Sequence, residues 1–289
     1  MVTVDAHLHL FKPLSEGYPR AIYEGMTPPE RDEPAERLLD AMDDAGIDKA
    51  VVVALSKEDR YLGEVLESHA ERFVGVAVHD FGVPDPVDSL RRRVETIGIQ
   101  GLRLFGLEAD PADEPESMAV FPLLEAMSDL GVKAWFYGPP DQVHALDACM
   151  EALPDLKVVM NHLAFLPDME AEIRVDEHGR PRFDITLPPA GLELVEALAA
   201  KHPSLYVLFS GHAAVSGTDD PDSARAEVAG RIYSAFGADR MMMASDWPWI
   251  RDEPGYGETL ALVDHLLPEI PGDDRAMIRG GTAMSLFEF

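Results

Sequence analysis

Near its N-terminus the chain reads Asp5-Ala6-His7-Leu8-His9. Alternate side chains of an extended strand share a face, so this spacing predicts His7 and His9 pointing the same way, with Asp5 beside them. Two imidazoles at i and i+2 can hold one cation or polarise one carbonyl. Two further chemically active groups follow apolar runs. His162 comes after Val158-Val159-Met160-Asn161, and Asp246 after Met242-Met243-Ala244-Ser245. An aspartate in that position is badly placed for a core but well placed to take a proton from water. Its competing role would be a helix N-cap, yet Trp247-Pro248-Trp249 does not read as a helix start. His162 alone would pass for a core histidine; with the others it becomes a candidate acid, base or electrophile.

Something must bring these positions together, and the apolar pattern says what. Eight strand-like runs occur: Thr3–Leu8, Ala50–Leu55, Phe73–His79, Gly101–Phe105, Val132–Tyr137, Lys157–His162, Leu205–Ser210 and Met241–Ser245. Amphipathic helical patterns fall between them, at Glu36–Ala45, Glu58–Ala70, Asp88–Thr96, Phe121–Asp129, Gln142–Ala152 and Leu192–Ala200. Eight alternations predict an α/β fold: one distorted (β/α)8 TIM-type barrel spanning 1–289 as a single domain. Such barrels carry their chemistry at the C-terminal ends of the strands, where His7, His9, His162 and Asp246 all fall. Two long connections, 12–34 and 164–190, leave the same face and are expected to border the site. Within the second, Ile173, Val175, Phe183 and Ile185 flank Glu177-His178-Gly179-Arg180, a hairpin pattern. No Gly-x-Gly-x-x-Gly or phosphate loop is present, which argues against a nucleotide fold.

Composition narrows the partners. The 289 residues carry 53 acidic and 24 basic side chains, a formal charge of −29. Such a field repels nucleic acid and anionic membrane surfaces. It fits a strongly hydrated surface and, more sharply, adaptation to high salt, where self-repulsion is screened. No apolar run reaches the length of a membrane span, and the N-terminus lacks the pattern of a secretory signal, so the expected location is the cytoplasm. Cys149 alone cannot form a disulfide framework and reads as a small core residue. The histidines at 69, 144, 202 and 265 fall on helical or helix-end patterns and are expected at the surface, whereas His79 closes the third strand.

The first-strand Asp-x-His-x-His, Asn161-His162, the segment RMMMASDWP from Arg240 to Pro248 and the closing GGTAMSLFEF together resemble the amidohydrolase superfamily. The nearest likeness is to its amidohydrolase-2 branch of lactonases and decarboxylases, and it runs from residue 3 to 289. Departures from the pattern matter. The fourth strand, Gly101–Phe105, ends without the lysine that bridges two metals in binuclear members, and Lys133 begins the fifth strand, at the wrong end. Tyr137 stands where most mononuclear members place a metal-binding histidine. The resemblance therefore implies lactone hydrolysis with no obligatory metal. On that implication Asp246 is the expected general base, and His7, His9 and His162, preferably protonated, are expected to polarise the carbonyl. It also implies that Arg103, Tyr137, His212 and Trp247 contact a small anionic or polyhydroxylated lactone. The alternative is a decarboxylase or C–C hydrolase with one zinc or manganese on His7, His9 and Asp246. A homo-oligomer is compatible with either reading. Arg20, Arg60, Arg174, Arg180, Arg182 and Arg251 are further candidates to meet an anionic substrate.

Overall fold

The structure is a computed structural model that describes residues 2–164, 174–177, 179–184, 187–189, 191–210, 215–216 and 221–289. Its strands are β1 (Val4–Leu8), β2 (Lys49–Val53), β3 (Phe73–Val78), β4 (Gly101–Leu104), β5 (Lys133–Phe136) and β6 (Val158–Met160). They continue with β7 (Arg174–Val175), β8 (Pro181–Asp184), β9 (Leu205–Phe209), β10 (Val215–Ser216) and β11 (Met241–Met243). One parallel eight-stranded sheet runs β1-β2-β3-β4-β5-β6-β9-β11. The first and last strands meet through a bridge between Leu8 and Trp247, so the sheet curls into a nearly closed barrel. All eight expected strands are present within two residues of their expected limits; seven lie inside those limits, and β2 begins one residue earlier and ends two earlier.

Helices occupy the connections: α1 (Ala35–Ala45), α2 (Arg60–Ser68), α3 (Pro86–Ile97), α4 (Phe121–Asp129), α5 (Gln142–Ala152), α6 (Leu192–Lys201), α7 (Pro221–Phe236) and α8 (Tyr256–Leu266). Local chemistry sets their ends. Asp85 caps α3 by accepting from the Asp88 N–H at 2.9 Å, and Pro86 supplies a first-turn residue that needs no donor. Gly98 ends the same helix at φ 75°, a left-handed conformation that costs glycine nothing. No described helix is long and apolar enough to cross a membrane.

The strands divide their side chains between two cores. Alternate residues such as Ala50, Val52, Leu102, Leu104, Ala134 and Phe136 join the layer between sheet and helices. Val4, Ala6, Val51, Val53, Val74, Val76, Trp135, Val159, Leu208 and Met242 fill the barrel interior. Trp135 is fully buried and is the one aromatic among these interior strand residues. The C-terminal tail seals the bottom: Leu286 and Phe287 join the interior core, and Phe287 lies 5.9 Å from the Trp135 ring.

The two long connections are built from their own polar contacts. Residues 12–34 are held by Arg20, whose guanidinium donates to the carbonyls of Lys12, Thr27 and Pro28. At its end the buried Glu33 carboxylate meets Arg31, Arg37 and Arg251. In the second connection β7 pairs antiparallel with β8, the expected hairpin, and β10 adds a third strand in parallel. The flanking Ile173, Ile185 and His178 lie outside the described residues. The insertions touch: a Cβ at Gly25 would sit 3.0 Å from Val175.

Candidate active site

The β1–β2 pairing runs Val4 to Lys49 and Asp5 to Ala50, then slips so that Leu8 meets Val52. The slip is a bulge, and it breaks strict alternation. Asp5 turns to the helix side with Leu8, while His7 and His9 turn inward. The expectation that Asp5 shares their face is therefore corrected. Its carboxylate instead accepts from the Ser245 N–H (2.9 Å), the Ser245 hydroxyl (2.5 Å) and the Tyr256 hydroxyl (3.0 Å). Burial outweighs these bonds and raises the Asp5 carboxyl to about 6. Asp5 thus pins the segment leading to Asp246 from behind.

Across the seam the Asp246 N–H donates to the His7 carbonyl (2.9 Å), and the His9 N–H donates to that of Trp247 (2.7 Å). These bonds hold the two strand ends together. His162 and Asp246 both have left-handed backbones, φ 51° and 65°. Such conformations cost a non-glycine residue about 1–3 kcal/mol each, and they persist where surrounding contacts over-determine them. At the neighbouring strand ends the backbone also crowds: a Cβ on Gly138 would lie 2.7 Å from the Gly106 Cα.

Six expected site residues come together. The Nε2 atoms of His7 and His9 converge on Asp246 Oδ1 at 3.6 and 3.5 Å. The His7 ring lies 4.9 Å from His9 and 5.4 Å from His162, centre to centre, and Tyr137 meets His162 at 5.3 Å. The Arg103 guanidinium lies over the Phe105 and Tyr137 rings at 4.6 and 5.2 Å. Arg103 is buried, yet its Nε has no hydrogen-bond partner among the described residues. The other candidate arginines differ. Arg20 is tied to carbonyls; Arg60, Arg180, Arg182 and Arg251 are paired with carboxylates. The Arg174 side chain is not described. Trp247 is not brought to the cluster: it packs in the outer core, 5.4 Å from Tyr256. His212 lies outside the described residues. Elsewhere, His202 is buried and bonded to Asp147 (2.6 Å), correcting its expected surface position; the turn before β9 packs it against α5.

The protonation pattern differs from the expected one. Burial, then the charges of His9, Arg103 and His162, holds His7 well below the usual histidine range. Burial and Arg103 outweigh Asp246 and lower His162 to about 4. Both rings are therefore neutral at pH 7, which corrects the expectation of protonated imidazoles. Burial alone would raise Asp246, but His162, His9 and Arg103 together hold it below its ordinary value, so it is ionised. Tyr137 is raised by burial and stays a phenol.

Each imidazole has a partner on its other side. His9 Nδ1 lies 2.8 Å from the Val53 carbonyl, which can only accept, so this nitrogen carries a proton. Nδ1 of His7 faces the Trp135 indole Nε1 at 2.9 Å. Indole N–H only donates, so His7 Nδ1 is the acceptor and its proton sits on Nε2. His162 Nδ1 pairs with the Ser210 hydroxyl at 3.0 Å. Ligand atoms of His7, His9 and Asp246 all lie within 4.8 Å of one another, close enough for one cation. His9 and Asp246 fit that use. His7 does not, because its remaining lone pair is taken by Trp135.

Three contributors were not singled out beforehand: Trp135, Ser210 and Trp249, whose ring lies 6.1 Å from His9. Parity could have flagged Trp135, two residues before Tyr137 on the same strand. Nothing in the sequence separates Trp249 from Trp247.

Comparison with known proteins agrees with this architecture. An L-fucono-1,5-lactonase from Burkholderia ambifaria is 27% identical over 303 residues, covering 98% of this chain and 94% of the relative. A probable 2-pyrone-4,6-dicarboxylic acid hydrolase from Acinetobacter baumannii superposes with a TM-score of 0.75 at 16% identity, covering 100% of both chains. An amidohydrolase from Burkholderia multivorans with bound zinc superposes with a TM-score of 0.75 at 19% identity, covering 99% of both. These structural likenesses show the fold. With the amidohydrolase profile (Amidohydro_2) matching residues 4–289, the chain belongs to the amidohydrolase family.

Proposed function

We propose that the protein hydrolyses a lactone, with Asp246 as general base and without a metal. The observation that carries this reading is the ionised, buried Asp246 carboxylate, with Nε2 of His7 and of His9 3.6 and 3.5 Å from its Oδ1. Asp246 takes a proton from water as the water oxygen attacks the carbonyl carbon. His7 Nε2–H, with His162, donates to the oxyanion that develops. His9, its Nδ1 held by the Val53 carbonyl, keeps Nε2 against Asp246 and so orients the base toward the water. Collapse of the intermediate breaks the ring C–O bond, and the proton held by Asp246 passes to the leaving oxygen, giving a hydroxy acid. The similarity to an L-fucono-1,5-lactonase along nearly the whole chain supports this substrate class.

Arg103 refines it. Its buried Nε has no hydrogen-bond partner among the described residues, and a substrate carboxylate would satisfy the guanidinium bidentately. The substrate is accordingly a lactone carrying a carboxylate or several hydroxyls, with Tyr137 beside Arg103 in the binding wall. A panel of sugar-acid and pyrone lactones, assayed with and without chelator, tests the reading. Chelator-resistant hydrolysis is the expected result. An inert panel, with decarboxylation appearing only after zinc or manganese is added, would replace it with the decarboxylase alternative.

A further inference from the structure

Among the inner-core strand residues described above, Trp135 is the one that meets a histidine of the site through a polar atom. Trp135 is fully buried in the inner core, packed against Phe287 below and lying nearly parallel to His7 above, at 6.1 Å and 17°. Its indole N–H has one bond, 2.9 Å to His7 Nδ1. A neutral imidazole has one N–H and one lone pair, so whatever engages Nδ1 dictates what Nε2 offers to the site. Here the partner is a pure donor. His7 Nε2 therefore carries the proton, and it is buried with no hydrogen-bond partner among the described residues. His9, two residues away, has the opposite kind of partner, the Val53 carbonyl, so its Nδ1 carries a proton where that of His7 does not. A metal ligand normally donates its distal N–H to an acceptor, as His9 does and His7 does not.

We propose that Trp135 is a positioning residue that holds His7 in the Nε2–H tautomer, making this imidazole an oxyanion donor and denying its lone pair to a metal. The donor role rests on the lactonase reading above; the tautomer and the effect on metal do not. If Trp135 acts this way, removing its N–H frees His7 to move its proton to Nδ1. The site then loses a transition-state donor and gains a third metal ligand. The two effects run in opposite directions, a pattern that a loss of packing alone would not produce.

The test begins with the wild-type protein, labelled with 15N and read by long-range proton–nitrogen correlation, the His7 signals being identified by their loss in His7→Gln. Nδ1 unprotonated and Nε2 protonated is the expected result; Nδ1 protonated overturns the proposal without need of a variant. Trp135→Phe is then compared with wild type in zinc titrations and lactone hydrolysis. Zinc binding should tighten about tenfold or more while kcat falls about 10–100-fold with little change in KM. His7→Gln, which restores an amide N–H near the Nε2 position, should keep more activity than His7→Ala. Unchanged zinc affinity and an unchanged His7 tautomer in Trp135→Phe would overturn the assignment. If no lactone is turned over by any form, the functional reading fails, and the wild-type tautomer still decides the role of Trp135.

Discussion

The two ends of the barrel are built on opposite rules. At the N-terminal end, apolar groups are packed and the described polar groups mostly find a partner. Gln100 exchanges side-chain hydrogen bonds with both backbone groups of Glu288, and Lys133 and Lys49 lie over the Phe287 and Phe289 rings at 5.0 and 5.1 Å. At the C-terminal end, buried polar atoms of His7, Arg103 and Asn161 have no partner among the described residues, and His162, Leu163 and Asp246 have left-handed backbones. Unmatched buried groups destabilise a protein unless a ligand completes them. The difference marks one end as the part that holds the barrel and the other as the part that works. Trp135 spans the boundary, touching the plug through Phe287 and the site through His7.

Substitutions at either end can break or sharpen this contrast. The largest effect is expected for Asp246→Asn, which keeps shape and removes the base: kcat should fall about 10²–10⁴-fold with thermal stability little changed. An Asn variant that retains full activity would remove Asp246 from the mechanism. Phe287→Ala at the plug should do the reverse, costing about 3–5 kcal/mol in denaturant unfolding while kcat of the folded protein holds. A matching loss of kcat would mean the ends are not separable.

Arg103→Met should lower kcat/KM about 10–100-fold for lactones bearing a carboxylate and less for neutral ones. Equal losses for both substrate types would argue against a carboxylate contact.

The smallest effect concerns Lys133, lowered by burial to about 8. Between that value and 10.5 the unfolded chain binds the proton more readily than the folded one. The penalty is therefore full below pH 8 and fades as pH rises toward 10.5. Lys133→Met should be more stable at pH 7 by about 1 kcal/mol, cation–π loss included. Its advantage should shrink in unfolding measured at pH 10, and a pH-independent difference would contradict the assignment.

Legibility followed the range of the interactions. Strand and helix positions were readable because burial on two faces imposes continuous apolar runs, and burial on one face imposes a helical period; α4 and α5 coincide with their expected limits. His7, His9, His162 and Asp246 were readable because ionisable groups closing apolar strands have few other reasons to be there. Asp5 was misplaced because a one-residue slip reverses every later side chain and leaves no mark in composition. The protonation states were misjudged for a related reason: they depend on burial and on Arg103, distant in sequence and adjacent in space. By itself the sequence determined the eightfold barrel, the end that carries the site and the four groups at its centre, since local pattern and chain order suffice for these. Only the tertiary structure decided which face Asp5 serves, that Trp135 sits under His7, and which nitrogen of each imidazole is engaged by the protein. Those depend on register and on single hydrogen bonds between strands far apart in the chain, such as the one that spans 128 residues from His7 to Trp135.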